Sequence, residues 1–180
     1  MDEFLKEVEA FVYAAHKGQR RKYTNEMYAR HPMNVGAKVA ERADSSETMI
    51  AAAMLHDVLE DTKITSKQLR EKFGGIVSSL VLQLTNPSKN HTDLPRAKRK
   101  QMDRDFLRTV SREAKIIKMH DRLDNISDFG DALETDRGFV KLYLEESRLL
   151  ADVLGDADEK LYHELMKEIE KQEERVKENG

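Results

Sequence analysis

Cysteine and tryptophan are missing from this chain, and proline occurs only three times, at Pro32, Pro87 and Pro95. Without cysteine there can be no disulfide and no zinc–thiolate site. Long apolar runs are missing too, so no stretch approaches the length of a bilayer span. The start, Met1-Asp2-Glu3-Phe4, is acidic and lacks the basic and then apolar pattern of a secretory signal. These absences together predict a cytoplasmic protein with no membrane partner. The formal net charge of −3 argues against a general binder of nucleic acid or of a membrane surface.

What remains is a chain of 180 residues, 36% charged and 39% hydrophobic, which fits one globular domain over residues 1–180 with a heavily charged surface. So few helix breakers among so many Lys, Glu, Leu and Ala predict an all-helical fold. Phe4, Leu5, Val8, Phe11, Val12 and Ala15 recur at helical spacing and define a first amphipathic helix that stops before Gly18. A basic loop from Gln19 to Glu26 follows, and His31-Pro32 opens a second helix with proline in the favoured first turn. Asp44 and Glu47 read as the capping pair of a third helix running to about Leu59. Thr65 and Gln68 form another box, ahead of a helix ended by Gly74-Gly75. Ile76 to Leu84 is apolar enough for a helix or a buried strand. After a loop at Asn86 to His91 comes a very basic helix, Arg96 to Arg108. Ser111 then caps a helix with the core stripe Ile116, Met119, Leu123 and Ile126. Two more helices are expected, about 136–154 and 156–177, the last either packing on the domain or fraying where it becomes highly charged after Met166.

One stretch stands out chemically. His56-Asp57-Val58-Leu59-Glu60-Asp61-Thr62 follows directly on the core-like run Ala51-Ala52-Ala53-Met54-Leu55. Charged groups beside a core are costly unless they are paired, metal-bound or catalytic. On a continuous helix His56 stacks on Glu60 and Asp57 on Asp61, which predicts two adjacent stripes of ligands and bases. The isolated histidines His16, His91, His120 and His163 read as ordinary hydrogen-bonded side chains.

Three motifs can be set beside each other: Tyr28-Ala29-Arg30-His31-Pro32, His56-Asp57, and Lys118-Met119-His120-Asp121-Arg122-Leu123-Asp124-Asn125. In this order they resemble the HD-domain superfamily of metal-dependent phosphohydrolases. Gln19-Arg20-Arg21-Lys22 and the longer string His56 to Thr62 narrow the likeness to the hydrolase domain of RelA/SpoT-type proteins. Those enzymes remove the 3′-pyrophosphate from the alarmone (p)ppGpp. The likeness runs from the first helix to about Leu154, without synthetase or regulatory regions, as in a small stand-alone alarmone hydrolase. It implies an HD-domain bundle of about eight to ten helices.

By that resemblance His31, His56, Asp57 and Asp121 would hold a metal. Two imidazoles and two carboxylates suit Mn²⁺ or another divalent transition metal better than Mg²⁺. Such an ion acidifies water and withdraws charge from phosphoryl oxygens. Glu60 and Asp61 would orient or deprotonate the attacking water. Arg21, Lys22 and Asn125 match family positions that contact a small-molecule nucleotide. Lys98 and Lys100 on the basic helix are candidates for further phosphate contacts, and Tyr143 for packing on base or ribose. Each also has a structural reading: Arg21 and Lys22 as solvated charges, the basic helix as a surface face, Tyr143 as a partly buried aromatic. Arg122 reads as a brace for its helix.

The chain departs from the family pattern in three places. The Arg21–His31 loop is longer than usual. Tyr23-Thr24-Asn25 stands where a glycine normally follows the Arg-Lys pair. Asp124 takes a place usually neutral, aromatic or histidine, and a carboxylate pointing inward there would repel a polyphosphate. The sequence therefore leaves open other HD phosphohydrolase substrates, a deoxynucleoside monophosphate or NADPH, and a catalytically silent nucleotide-binding module. It does not specify the oligomeric state.

Overall fold

Residues 2–178 are described by a computed structural model. Asp2 starts the first helix by accepting from the Phe4 amide at 2.9 Å, and α1 (Glu3–Ala15) turns Leu5, Val8 and Val12 inward. After the basic loop come α2 (Arg30–Ala40), α3 (Glu47–Met54) and α4 (Val58–Asp61). Next are α5 (Ser66–Leu84), α6 (Arg96–Leu107), α7 (Arg112–Ser127), α8 (Ala132–Thr135), α9 (Arg137–Leu154) and α10 (Glu159–Glu178). No sheet occurs among the described residues; one isolated antiparallel bridge joins Arg20 to Met27. The all-helical expectation holds, and Ile76 to Leu84 is helix rather than strand.

The caps decide several boundaries. Thr65 and Gln68 form the expected reciprocal box, and Ser111 accepts from the Ala114 amide at 3.3 Å. The expected Asp44–Glu47 cap is wrong. Ser46 caps α3 by accepting from the Met49 amide at 3.2 Å, because Asp44 is already engaged by Arg42 at 2.9 Å and Arg112 at 3.0 Å. Gly74-Gly75 does not end a helix outright. Gly74, at φ 86°, breaks the helical path and α5 resumes beyond it. A positive φ of this kind is open to glycine at little cost.

The helices pack so that α2 lies against α3 and α7, with α10 along α7 and α9. Ala51, Ala52 and Ala53 are fully buried. Their small side chains let α3 approach α2 closely: a methyl group added at Gly36 would come within 2.4 Å of Met54 Cγ. On α10, Leu161, Leu165, Ile169 and Val176 form a buried stripe that continues well past Met166. Each such side chain stabilises the packed helix by about 1.5–3 kcal/mol, which offsets the fraying that charge alone would predict.

Candidate metal centre and nucleotide cleft

The third helix stops earlier than its apolar pattern implies. Leu55 caps α3, and a turn through His56 and Asp57 separates it from α4. His56 and Asp57 therefore sit at a helix junction, not on one continuous helix, and the expected His56–Glu60 stripe is not formed. The turn points the His56 ring inward, where Nδ1 bonds the Ala53 carbonyl at 2.8 Å and leaves Nε2 facing the cluster. His31 arrives on the first turn of α2, and Asp121 on the inner face of α7.

Around this junction the four groups expected to hold a metal converge. His31 Nε2 is 3.2 Å from Asp121 Oδ1 and 3.6 Å from Asp57 Oδ2. His56 Nε2 is 3.1 Å from Asp57 Oδ2 and 3.6 Å from Asp121 Oδ1. His31, His56 and Asp121 each offer a ligand atom within 4.8 Å of the others. His56 Nε2 is buried and has no hydrogen-bond partner. An orphaned imidazole nitrogen facing two carboxylates is what a site for a divalent cation requires.

Electrostatics tell the same story. Burial alone would depress both imidazoles, yet hydrogen bonds to Asp121 and Asp124 raise the pKa of His31. The charge of Asp57, with Asp121, raises His56 well above its ordinary value. Burial would raise Asp57 and Asp121, but the His56 charge lowers the first, and Lys118 with both imidazoles holds the second well down. The cluster thus keeps its carboxylates ionised and demands positive charge between them. Protons on the imidazoles meet that demand in isolation, and a divalent cation would meet it better.

Glu60 and Asp61 lie one turn beyond, on α4. Glu60 accepts from the Asn86 backbone amide at 2.6 Å and from its side chain at 3.2 Å. Lys89 bonds the Leu59 carbonyl and so secures the end of α4. Burial raises the pKa of Glu60, only partly offset by Lys118 and Asn86. Burial and the neighbouring Asp57 raise Asp61. The Tyr28 hydroxyl lies 2.7 Å from both Asp57 Oδ2 and Asp61 Oδ2, and its single proton serves one of them at a time. Tyr28 was not among the expected site residues, although its place three before His31 was the available signal.

Beside the cluster opens a cavity of about 320 Å³, walled by Arg20, Arg21 and Lys22 on one side and Phe129, Phe139 and Tyr143 on another. Asn125 links the two regions. Its Nδ2 donates to Asp121 Oδ1 at 2.6 Å, and its Oδ1 accepts from Arg21 Nη2 at 3.1 Å. Lys22 is largely exposed and turned toward Tyr23 and Asp136. Tyr143 serves both readings: it lines the cavity and carries the Arg122 guanidinium 4.3 Å above its ring. Arg122 also donates to Ser147 and braces α7 against α9 as expected. Within the Arg21–His31 loop Asn25 takes φ 55°, and Gly130 approaches Tyr23 and Thr24 closely. A methyl group at Gly130 would meet Thr24 Cγ2 at 2.8 Å.

The basic helix divides. Lys100 is partly buried and lines a small cavity with Lys118, Arg122 and Asn86, while Lys98 is exposed and does not line it. Lys118, 2.8 Å from Asp121 Oδ2 and deeply buried, was not among the expected site residues. Its spacing of three from Asp121 on one helix was the readable sign. Asp124 faces His31 instead of the cavity, at 2.5 Å from Nδ1, so the expected repulsion of a polyphosphate does not arise from a free inward charge. No helix among the described residues is long and apolar enough to cross a membrane.

Known proteins are similar to this chain in sequence and in fold. A protein of Xenopus tropicalis named guanosine-3′,5′-bis(diphosphate) 3′-pyrophosphohydrolase MESH1 is 33% identical over 125 residues, 67% of this chain and 68% of its own length. A guanosine-3′,5′-bis(diphosphate) 3′-pyrophosphohydrolase of Aquifex aeolicus is 37% identical over 120 residues, 65% of this chain but only 17% of its own length. The solved structure of a metazoan ortholog of SpoT that hydrolyzes ppGpp superimposes with a TM-score of 0.83 at 25% identity, covering 96% of this chain and 97% of that one. Residues 10–145 match the HD-domain family model, and they carry all four clustered ligand candidates. The chain belongs to the HD-domain family.

Proposed function

We propose that this protein is a divalent-metal-dependent hydrolase that removes the 3′-pyrophosphate of (p)ppGpp, giving GDP or GTP and pyrophosphate in the cytoplasm. The observation that carries the proposal is the convergence of His31, His56, Asp57 and Asp121 beside a cavity with cationic and aromatic walls. The relatives named for this reaction support it. The mixed nitrogen and oxygen donors favour Mn²⁺.

The residues divide the work. A bound divalent ion would supply Lewis acidity toward the phosphoryl oxygens and acidify the attacking water. Arg21, anchored by Asn125, faces the polyphosphate, with Lys22 at the rim. Phe139 and Tyr143 line the wall that would pack against the nucleobase or ribose. Lys100 and Lys118 bring positive charge toward the departing pyrophosphate. Glu60 is held in a fixed orientation by Asn86 and made more basic by burial, which suits it to take a proton from water. Asp61 shares the Tyr28 hydroxyl with Asp57 and supports that proton movement.

The test is a nucleotide panel with Mn²⁺, products resolved by chromatography. Pyrophosphate released from ppGpp is the expected result. Orthophosphate released from NADPH or a deoxynucleoside monophosphate, with ppGpp untouched, would contradict the proposal. Tight binding of ppGpp without turnover would mark a silent binding module instead.

A further inference from the structure

Asp124 projects from α7 to the back of the His31 ring. Its Oδ2 lies 2.5 Å from His31 Nδ1, and the same oxygen is 3.5 Å from Arg21 Nη1. The imidazole ring stands between this carboxylate and the cluster, so Asp124 addresses one ring nitrogen while Asp121 and Asp57 address the other. A neutral imidazole carries its proton on one nitrogen and offers a lone pair at the other, and the partner of the protonated nitrogen sets which is which. A carboxylate against Nδ1 keeps the proton there, so that it is Nε2, on the side of Asp121 and Asp57, that would give up its proton and offer a lone pair to a cation.

The two imidazoles are held unequally. His56 Nδ1 faces a neutral acceptor, the Ala53 carbonyl, whereas His31 Nδ1 faces an anion. An anionic acceptor pushes electron density toward the far nitrogen and makes it the stronger ligand. The charge of Asp124 is also occupied from both sides, by His31 and by Arg21, which explains how a carboxylate is tolerated next to a cleft meant for an anion.

We propose that Asp124 is a positioning residue for the metal centre, fixing His31 in the Nδ1–H tautomer and strengthening its Nε2 as a ligand. This rests on the reading of the cluster as a divalent-metal site.

The experiment is a Mn²⁺ titration of the chelator-stripped full-length protein, with free Mn²⁺ followed by electron paramagnetic resonance. Wild type is compared with Asp124→Asn and Asp124→Leu. Asparagine keeps an oxygen that can accept from Nδ1 but carries no charge, and leucine removes the acceptor at similar size. The dissociation constant should rise about 10-fold in Asp124→Asn and toward 100-fold in Asp124→Leu, the range typical of such supporting partners. Metal-free Asp124→Asn should still unfold cooperatively, and Nδ1 of His31 should be the protonated nitrogen in a ¹⁵N spectrum of the zinc-loaded wild type. Equal Mn²⁺ affinity in wild type and both variants would overturn the role of Asp124 while leaving the metal centre standing. Failure of wild type to bind Mn²⁺ would overturn both.

Discussion

Replacing Asp121 by asparagine should damage the protein twice, and the two injuries can be separated. One oxygen of Asp121 faces the two imidazoles, and the other lies 2.8 Å from the Lys118 ammonium. Both side chains are less than a tenth exposed, at 9% for Lys118 and 8% for Asp121. Removing one partner of a buried pair leaves an uncompensated charge and costs about 3–5 kcal/mol. Glu60 and Asp57 also attract Lys118, which places the expected cost at the lower end, about 3 kcal/mol. In a domain of this size that lowers the melting temperature by about 6–12 °C. The assay is thermal and urea unfolding of the chelator-stripped protein for wild type, Asp121→Asn, Lys118→Met and the double variant. Lys118→Met removes the stranded ammonium at similar volume, so the double variant should recover much of the loss and show a coupling of about 1.5–3 kcal/mol. Metal binding, in contrast, should stay lost in both variants that lack the carboxylate. An Asp121→Asn protein melting within about 2 °C of wild type, or a coupling below about 0.5 kcal/mol, would refute the reasoning.

Three other outcomes are expected. Glu60→Gln should still bind Mn²⁺ but lose about 10²–10⁴-fold in kcat on ppGpp, because its one amide oxygen can keep the Asn86 backbone contact while the proton acceptor is gone; unchanged kcat would remove Glu60 from the chemistry. Gly36→Ala gains about 1 kcal/mol of helix propensity but overpacks against Met54 by about 1–3 kcal/mol, so its urea midpoint should fall, and a midpoint above wild type would contradict the tight α2–α3 contact. Arg42 and Arg112 lower the Asp44 carboxyl to about 2 from a usual 3.8, so its contribution to stability is complete above about pH 4 and lost as pH falls through about 2. The deficit of Asp44→Asn relative to wild type, measured by urea unfolding at successive pH values, should therefore be constant from neutral pH to about 5 and shrink below 4, and a deficit that grows on acidification would reverse the assigned sign.

Much of this site could be read from the chain before any coordinates. His31, the His56-Asp57 pair and Asp121 are far apart along the sequence, yet the resemblance carried by their motifs placed them in one cluster, and the helices that carry them were visible in apolar spacing and in caps such as Ser111. What escaped depended on tertiary contacts. The break after Met54 has no glycine or proline to announce it; the apolar pattern runs straight through, and the turn is visible only once His56 is seen reaching back to the Ala53 carbonyl. Asp44 and Ser46 are both good capping residues, and the choice fell to Ser46 because Arg42, two residues earlier, and Arg112, from elsewhere in the fold, engage Asp44. The partner of Glu60 is Asn86, in a loop beyond α5 that local spacing cannot relate to α4. The direction of Asp124 could not be known without the crossing of α2 and α7. On α10 the charged sequence pointed to fraying, while the helically spaced stripe Leu161, Leu165, Ile169 and Val176 carried the stronger information.

Anomalous X-ray scattering from crystals of the Mn²⁺-soaked protein, recorded at the manganese edge, tests the central claim most directly. The account predicts one strong anomalous peak enclosed by the Nε2 atoms of His31 and His56 and the carboxylates of Asp57 and Asp121. No peak at that position, in a protein that nonetheless hydrolyses ppGpp, would contradict it.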